Sequence, residues 1–256
     1  MKRITALLLA LLLVFGVVSA LAETWTCPNC GKTGNDGMFC PSCGTPKSGS
    51  TSIQPGDYVY LGRWEQNDYA GDGAERIRWI VLAVDGSKLL LLSEKGLANI
   101  PFHKKSDGTS WAGSYIRQWL NYDFYRGAFS AQEAAGILTT EVQDTVEHCY
   151  PDLNTASRFS GTSEDKVFLL SYLELCQYCS MQTAMCEPSA SVRKANRNIL
   201  TGKYNGNAYC YWWLRTSAYK NNAMFMSPDG FASAYEHHTG LCARPALWAD
   251  ASVVTQ

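Results

Sequence analysis

Two C-P-x-C pairs, Cys27/Cys30 and Cys40/Cys43, leave residues 23–46 little freedom. A segment this short cannot hold itself together by burying apolar surface, so it needs a staple. Each pair presents two thiols from one tight turn. Gly31 and Gly44 stand directly after the second cysteine of each pair, where the backbone bends toward the sulfurs. Four thiolates at this spacing complete a tetrahedral zinc site with no open position, which points to a structural metal and away from catalysis at this site.

The residues ahead of the cysteines set a competing outcome. Residues 1–22 carry Lys2 and Arg3, an apolar run and an Ala20-Leu21-Ala22 site, the pattern of a cleaved export signal. The alternative is an uncleaved anchor, because Ile4 to Ala22 nearly reaches the roughly 20 apolar residues that span a bilayer. Only in that case is the chain expected to be attached to a membrane. Either way the expected location is extracytoplasmic, secreted or at the cell surface, where oxidation to two disulfides competes with metallation. The motifs "CPNCG" and "FCPSCG" resemble the short zinc-ribbon modules found at the ends of many bacterial proteins.

Residues 47–53 are a Gly/Ser/Thr/Pro run without apolar periodicity and read as a flexible linker. Residues 54–250 are long enough for one full-sized core. A net charge of -1 gives no electrostatic basis for nucleic-acid binding. Eight Trp in a chain with 18% charged residues predict a compact, aromatic-rich domain.

The order of patterns predicts an α+β fold. A strand follows the Pro55-Gly56 turn, and "RIRWIVLAVDGSKLLLLS" is a hairpin about Asp85-Gly86. "SWAGSYIRQWLNYDFY" has helical spacing, with Tyr115, Trp119 and Tyr122 flanked by Ile116 and Leu120 on one side. Ser130/Glu133 and Ser171/Glu174 are capping boxes, the second preceded by a strand over Val167–Leu170. Three β motifs close the chain: "YCYWWLRTS" as one strand, a hairpin about Pro228-Asp229-Gly230, and "LCARPALW". The first and last strands are expected to pair.

"RWIVLAVDGSKLLLLS", "SYIRQWLNYDFYRGAFS", "DKVFLLSYLE", "YWWLRTS", "SPDG" and "CARPALW", in that order, resemble the bacterial domain of unknown function 6273 family over about residues 55 to 250. The C-terminal succession of a Trp-Leu-Arg-Thr strand, an Asp-Gly turn and an Arg-Pro-Ala strand also resembles the C-type lectin-like fold. Formylglycine-generating enzymes and the variable ligand-binding proteins of phage diversity-generating elements share that fold. The second resemblance implies a binding surface on the C-terminal loops. It also implies an alternative, a formylglycine-generating-type oxidoreductase working through Cys210 and Cys242, although "YCYWWL" and "LCARPA" do not match the catalytic segment of those enzymes.

The leading expectation is therefore a non-enzymatic binding protein for a glycan or protein ligand. Its candidate ligand residues are Trp213, Tyr219, Asn221, Asn222, Tyr235 and His237, with zinc held by Cys27, Cys30, Cys40 and Cys43 as the structural cofactor. A docking protein acting through the ribbon is a further alternative. Trp111, Trp212 and Trp213 offer stacking area, though alternation puts Trp212 and Trp213 on opposite faces of a strand, one of them toward the core. Arg215 and Arg244 are expected to turn inward and meet a buried carboxylate such as Asp229 or Asp165. Cys176 and Cys179, with Cys149 and Cys186, leave open a second metal site, disulfides or inert core thiols.

Overall fold

The computed structural model describes residues 24–35, 42–43, 53–69, 71–105, 110–144, 161–195, 201–218, 222–236 and 239–256. The chain divides into two compact units, Met1–Gly49 and Ser50–Gln256. In the first, Trp25 and Asn35 exchange backbone hydrogen bonds of 2.9 and 3.2 Å around the segment that carries Cys27 and Cys30. Gly31 takes a φ of +73°, and its N–H reaches the Cys27 carbonyl at 3.0 Å. A side chain is disfavoured at that φ, so glycine makes the tight turn possible.

The second unit begins with β1 (Tyr58–Trp64), β2 (Glu75–Asp85), β3 (Lys88–Ser93), β4 (Lys95–Gly96) and β5 (Ala98–Pro101). A helical stretch follows: α1 (Tyr115–Trp119), a π turn over Leu120–Phe124, α2 (Tyr125–Ala128) and α3 (Ala131–Gly136). Next come β6 (Thr140–Asp144), β7 (Gly161–Asp165), α4 (Tyr172–Tyr178), α5 (Met181–Ala184), β8 (Glu187–Pro188) and α6 (Ala190–Ala195). The chain closes with β9 (Thr201–Tyr204), β10 (Asn207–Cys210), β11 (Trp212–Ser217), β12 (Asn222–Met226), β13 (Ala232–Glu236), β14 (Gly240–Ala243) and β15 (Ala246–Asp250). The domain is α+β, mostly strand with short helices.

Two sheets carry the architecture, one ordered β1-β2-β3-β15 and the other β13-β12-β11-β14-β5. The Asp85-Gly86 hairpin forms as its sequence demands, with Gly86 at φ +60°. The last strand does not pair with the first. β15 lies against β3, and an isolated bridge from Tyr60 to Thr255 is what ties the C-terminus to β1. The reason is a shared crossing. The run β3 to β5 and the run β14 to β15 pass together from one sheet to the other, held by Ser93 N–H to Pro245 O and Leu97 N–H to Ala243 O, both 2.9 Å. Arg244 sits at that crossing.

Four tryptophans, Trp79, Trp111, Trp212 and Trp213, fill the core. A buried indole N–H requires an acceptor. Each has one: Leu61 O at 2.8 Å, Asp165 Oδ2 at 2.8 Å, Ala184 O at 2.9 Å and Ile100 O at 3.0 Å, respectively. Asp165 is a hub, also accepting from Arg117 Nε at 2.7 Å, Ser163 Oγ at 2.7 Å and Asn121 Nδ2 at 3.1 Å.

The helical stretch buries Ile116 and Leu120 of the face read from the sequence and adds Phe124, all spaced four apart, but does not bury its tyrosines. Tyr122 points to solvent with Arg126 stacked 4.0 Å from its ring, and only Trp119 of the expected aromatic trio packs inward, 5.8 Å from Trp64. The π turn over Leu120–Phe124 accounts for Tyr122 and Phe124, since a widened turn places residues differently from a regular helical wheel. Val167–Leu170 is buried throughout but is an extended run with one bridge, Phe168 to Ala246, and not a strand.

Glu133 links both capping and sheet. Its Oε2 accepts from Ser130 N at 2.9 Å, while its Oε1 accepts at 2.9 Å from Gly62, whose N–H is released by a bulge in β1 at φ +72°. Burial raises the carboxyl pKa, but the hydrogen bonds from Ser130 and Gly62 and the Arg76 charge outweigh it and hold it below 4.5. A depressed folded-state pKa contributes stability above the unfolded value that is lost as pH falls through the folded one. Glu133→Gln is therefore expected to flatten the fall in urea midpoint below pH 4.5. An unchanged acid slope would remove Glu133 from the account.

Candidate functional site

The first cluster is built by the N-terminal knuckle. Sulfurs of Cys27, Cys30 and Cys43 all lie within 4.8 Å of one another, close enough to hold a metal ion. Cys27 is buried and the other two are exposed. Cys27 Sγ and Cys43 Sγ are 3.4 Å apart. A tetrahedral Zn–S bond of about 2.3 Å makes sulfur-to-sulfur edges of about 3.8 Å, so the donor set fits that ion within a small adjustment. Cys40 lies outside the described residues.

The expected ligand surface divides into several parts. Tyr219, Asn221 and His237 lie outside the described residues. Trp213 must be removed from the candidate set: β11 is central in its sheet with both faces covered, so Trp213 and Trp212 are equally buried. Trp111 is also core. Asn222 is half-buried at the start of β12, opposite Glu236. Tyr235 is 47% exposed on β13, an edge strand, with its ring edge-on to Phe225 at 6.2 Å.

The sequence reading missed two neighbours of this hairpin. Phe231, 60% exposed, leaves the turn behind Gly230, which adopts φ +85°. Met181, 56% exposed, opens α5 across a groove of 180 Å3 lined by Leu175, Met226 and Ala232. An aromatic residue next to Pro228-Asp229-Gly230 was the available signal, because a hairpin tip projects beyond the core it caps.

The two arginines part company. Arg215 turns inward and pairs with a carboxylate, but that carboxylate is Glu174 rather than Asp229 or Asp165. Its Nη2 reaches Glu174 Oε1 at 2.7 Å, and its Nε and Nη1 reach Gln143 O at 3.0 Å and Leu169 O at 2.8 Å. Arg244 has no carboxylate partner among the described residues. It is held by Ser93 O at 2.9 Å, Thr183 O at 2.7 Å and the Trp212 ring at 4.9 Å.

Three thiols meet inside the large domain. A Cβ added at Gly96 would meet Cys242 Sγ at 2.8 Å and Cys210 Sγ at 3.2 Å, and Cys186, Cys210 and Cys242 are all buried. Burial pushes the Cys186 and Cys210 thiols well up. A reactive cysteine needs the reverse, a lowered pKa and access. Cys179 is pushed up to about 11 by burial, with the Arg244 charge opposing it, and Cys176 is exposed. Among the described residues Cys176, Cys179 and Cys186 do not form a metal-ligand group, and Cys149 lies outside them.

No helix among the described residues is long and apolar enough to cross a membrane. No curated protein and no solved structure matches the chain. The family model described as domain of unknown function 6273 matches residues 86–251, from the β2–β3 turn through the last strand. That span takes in the sheet crossing at Arg244, the Arg215–Glu174 pair and the β12–β13 hairpin, and over it the chain belongs to the domain of unknown function 6273 family.

Proposed function

We propose that the protein is an exported, non-enzymatic binding module that takes a polypeptide ligand on the β12–β13 hairpin and the groove beside it. The observation that carries this reading is the pairing of Phe231 and Met181, each more than half exposed, across an apolar groove next to β13, which is an edge strand among the described residues. Exposed apolar area bordering a groove marks interaction sites, and an edge strand offers its backbone to an extended chain. The Leu175, Met226 and Ala232 lining suits an apolar side chain better than a sugar, which needs a fork of polar groups. The lectin-like reading of the fold and the extracytoplasmic location belong to the same proposal, resting on the C-terminal motif order and on residues 1–22; a glycan is the alternative ligand. Zinc is proposed as the metal of the cysteine cluster on its all-thiolate donor set.

Cys210 and Cys242 both place their sulfurs beside Gly96, as the oxidoreductase alternative requires, but both are buried and the Cys210 thiol is raised by that burial, which opposes thiol chemistry there. The test uses the full chain against parallel peptide and glycan arrays. The wild type is expected to retain a subset of apolar peptides, and Met181→Ser with Phe231→Ser to weaken retention by about tenfold, since buried anchors dominate such interfaces. Both positions are exposed, so the fold should change little. Retention of glycans alone would reverse the ligand class, and unchanged retention by the double variant would move the site off the hairpin.

A further inference from the structure

Arg244 offers a second, separate site. The residue is 1% exposed and stands where the two strand runs cross between sheets. A guanidinium carries five N–H donors. Two acceptors reach this one, Ser93 O on Nε and Thr183 O on Nη1, so Nη2 has no partner among the described residues. A buried cation without an opposing charge is costly. The Trp212 face offsets part of that cost, and the backbone carbonyls orient the group without neutralising it.

The arginine lines a cavity of 370 Å3. Apolar Ile80 and buried Arg244 belong to its deep side, while Tyr58, Lys95, Gln182 and Glu187 are exposed and belong to its mouth. Lys95, like Arg244, has no carboxylate partner among the described residues, whereas Glu94 is paired with Arg78 at 2.9 Å. Glu187 is 3.8 Å from Arg193, and both are half-exposed, a separation and exposure that leave its charge largely available. The lining thus has an unpaired cation at depth and an available carboxylate at the mouth.

We propose that this cavity binds a small zwitterionic carboxylate, of amino-acid or dipeptide size, with its carboxylate on Arg244 and its ammonium toward Glu187. A planar guanidinium with unclaimed N–H groups matches a carboxylate edge. The two glutamates in the lining select against a dianion such as phosphate.

The test is ligand-observed NMR on the full chain at millimolar concentrations of L-alanyl-L-alanine, its C-terminal amide, N-acetyl-L-alanine and inorganic phosphate. The dipeptide is expected to bind, with the amide weaker by about tenfold or more, the loss of one charge-assisted contact. The acetylated acid should fall between them. Arg244→Lys keeps the charge but not the planar fork and is expected to lose binding. Should that variant fail to fold, Gln182→Trp, an exposed substitution that blocks the mouth, decides the matter by abolishing the signal in a folded protein. Absence of dipeptide binding to the wild type, equal binding of dipeptide and amide, a preference for phosphate, or unchanged binding by Gln182→Trp would each overturn the proposal. None of these outcomes bears on the peptide groove at Phe231, which has different residues and a different readout.

Discussion

Arg215→Met is expected to lower the stability of the large domain by about 3–5 kcal/mol, read from urea midpoints, because it leaves a half-buried carboxylate and two carbonyls without their cation. Arg215 spans three parts of the domain at once. From β11 it holds Glu174 in α4, Gln143 O in β6 and Leu169 O in the extended run before α4. Glu174 has a second duty: its Oε2 accepts from Ser171 N at 2.8 Å and completes the cap of α4. The companion variant is therefore Glu174→Gln, which can still close a capping box but has no charge. With both changes the domain should be more stable than with Arg215→Met alone, by about 1 kcal/mol or more, since no uncompensated ion remains. A double variant worse than the sum of its parts would mean that the pair acts through hydrogen-bond geometry and not through charge.

That pair also shows where sequence reasoning stops. The inward turn of Arg215 was legible from its place in an apolar strand, but its partner was sought in Asp229 or Asp165, because Glu174 was already explained as a cap. One residue serving two elements leaves one signal in the sequence. The local features were legible because their causes are local: Asp85-Gly86, the two capping boxes and Pro228-Asp229-Gly230 all sit where their chemistry puts them. Strand alternation did put Trp212 and Trp213 on opposite faces, and it failed as a guide to exposure because β11 is covered on both sides. The partner of β15 was not legible either. It depends on the crossing at Arg244-Pro245, where a single arginine replaces the continuity of a sheet and nothing in the local pattern announces a change of layer.

The largest expected effect concerns the first unit. Chelation at neutral pH under reducing conditions is expected to unfold the segment 24–35 that carries Cys27 and Cys30 while leaving the large domain's urea midpoint unchanged. The physical reason is the small size of what holds that unit: among its described residues, Cys27 and Asn35 are the buried side chains. Asn35 is used locally, donating to Lys32 O at 2.8 Å and Trp25 O at 3.1 Å, so it shapes the turn without supplying a core. Apparent zinc-binding energies in small thiolate modules are about 10–16 kcal/mol, and in such modules binding energy is folding energy. Cys27→Ser should reproduce the chelated state, because it removes the buried ligand, and cobalt substitution should give the absorption of a four-thiolate tetrahedral site in the wild type and not in the variant. Metal analysis returning no bound metal in protein purified without chelator, with all four thiols reactive and the Trp25 segment still ordered, would show that the knuckle folds on its own hydrogen bonds. If instead the four sulfurs proved oxidised, disulfide formation would have overtaken metallation, and the same spacing would be stapling the module by covalent bonds. Both staples satisfy the need for a constraint that the sequence states so early; the chelation experiment separates them, because a disulfide-linked module has no metal to lose.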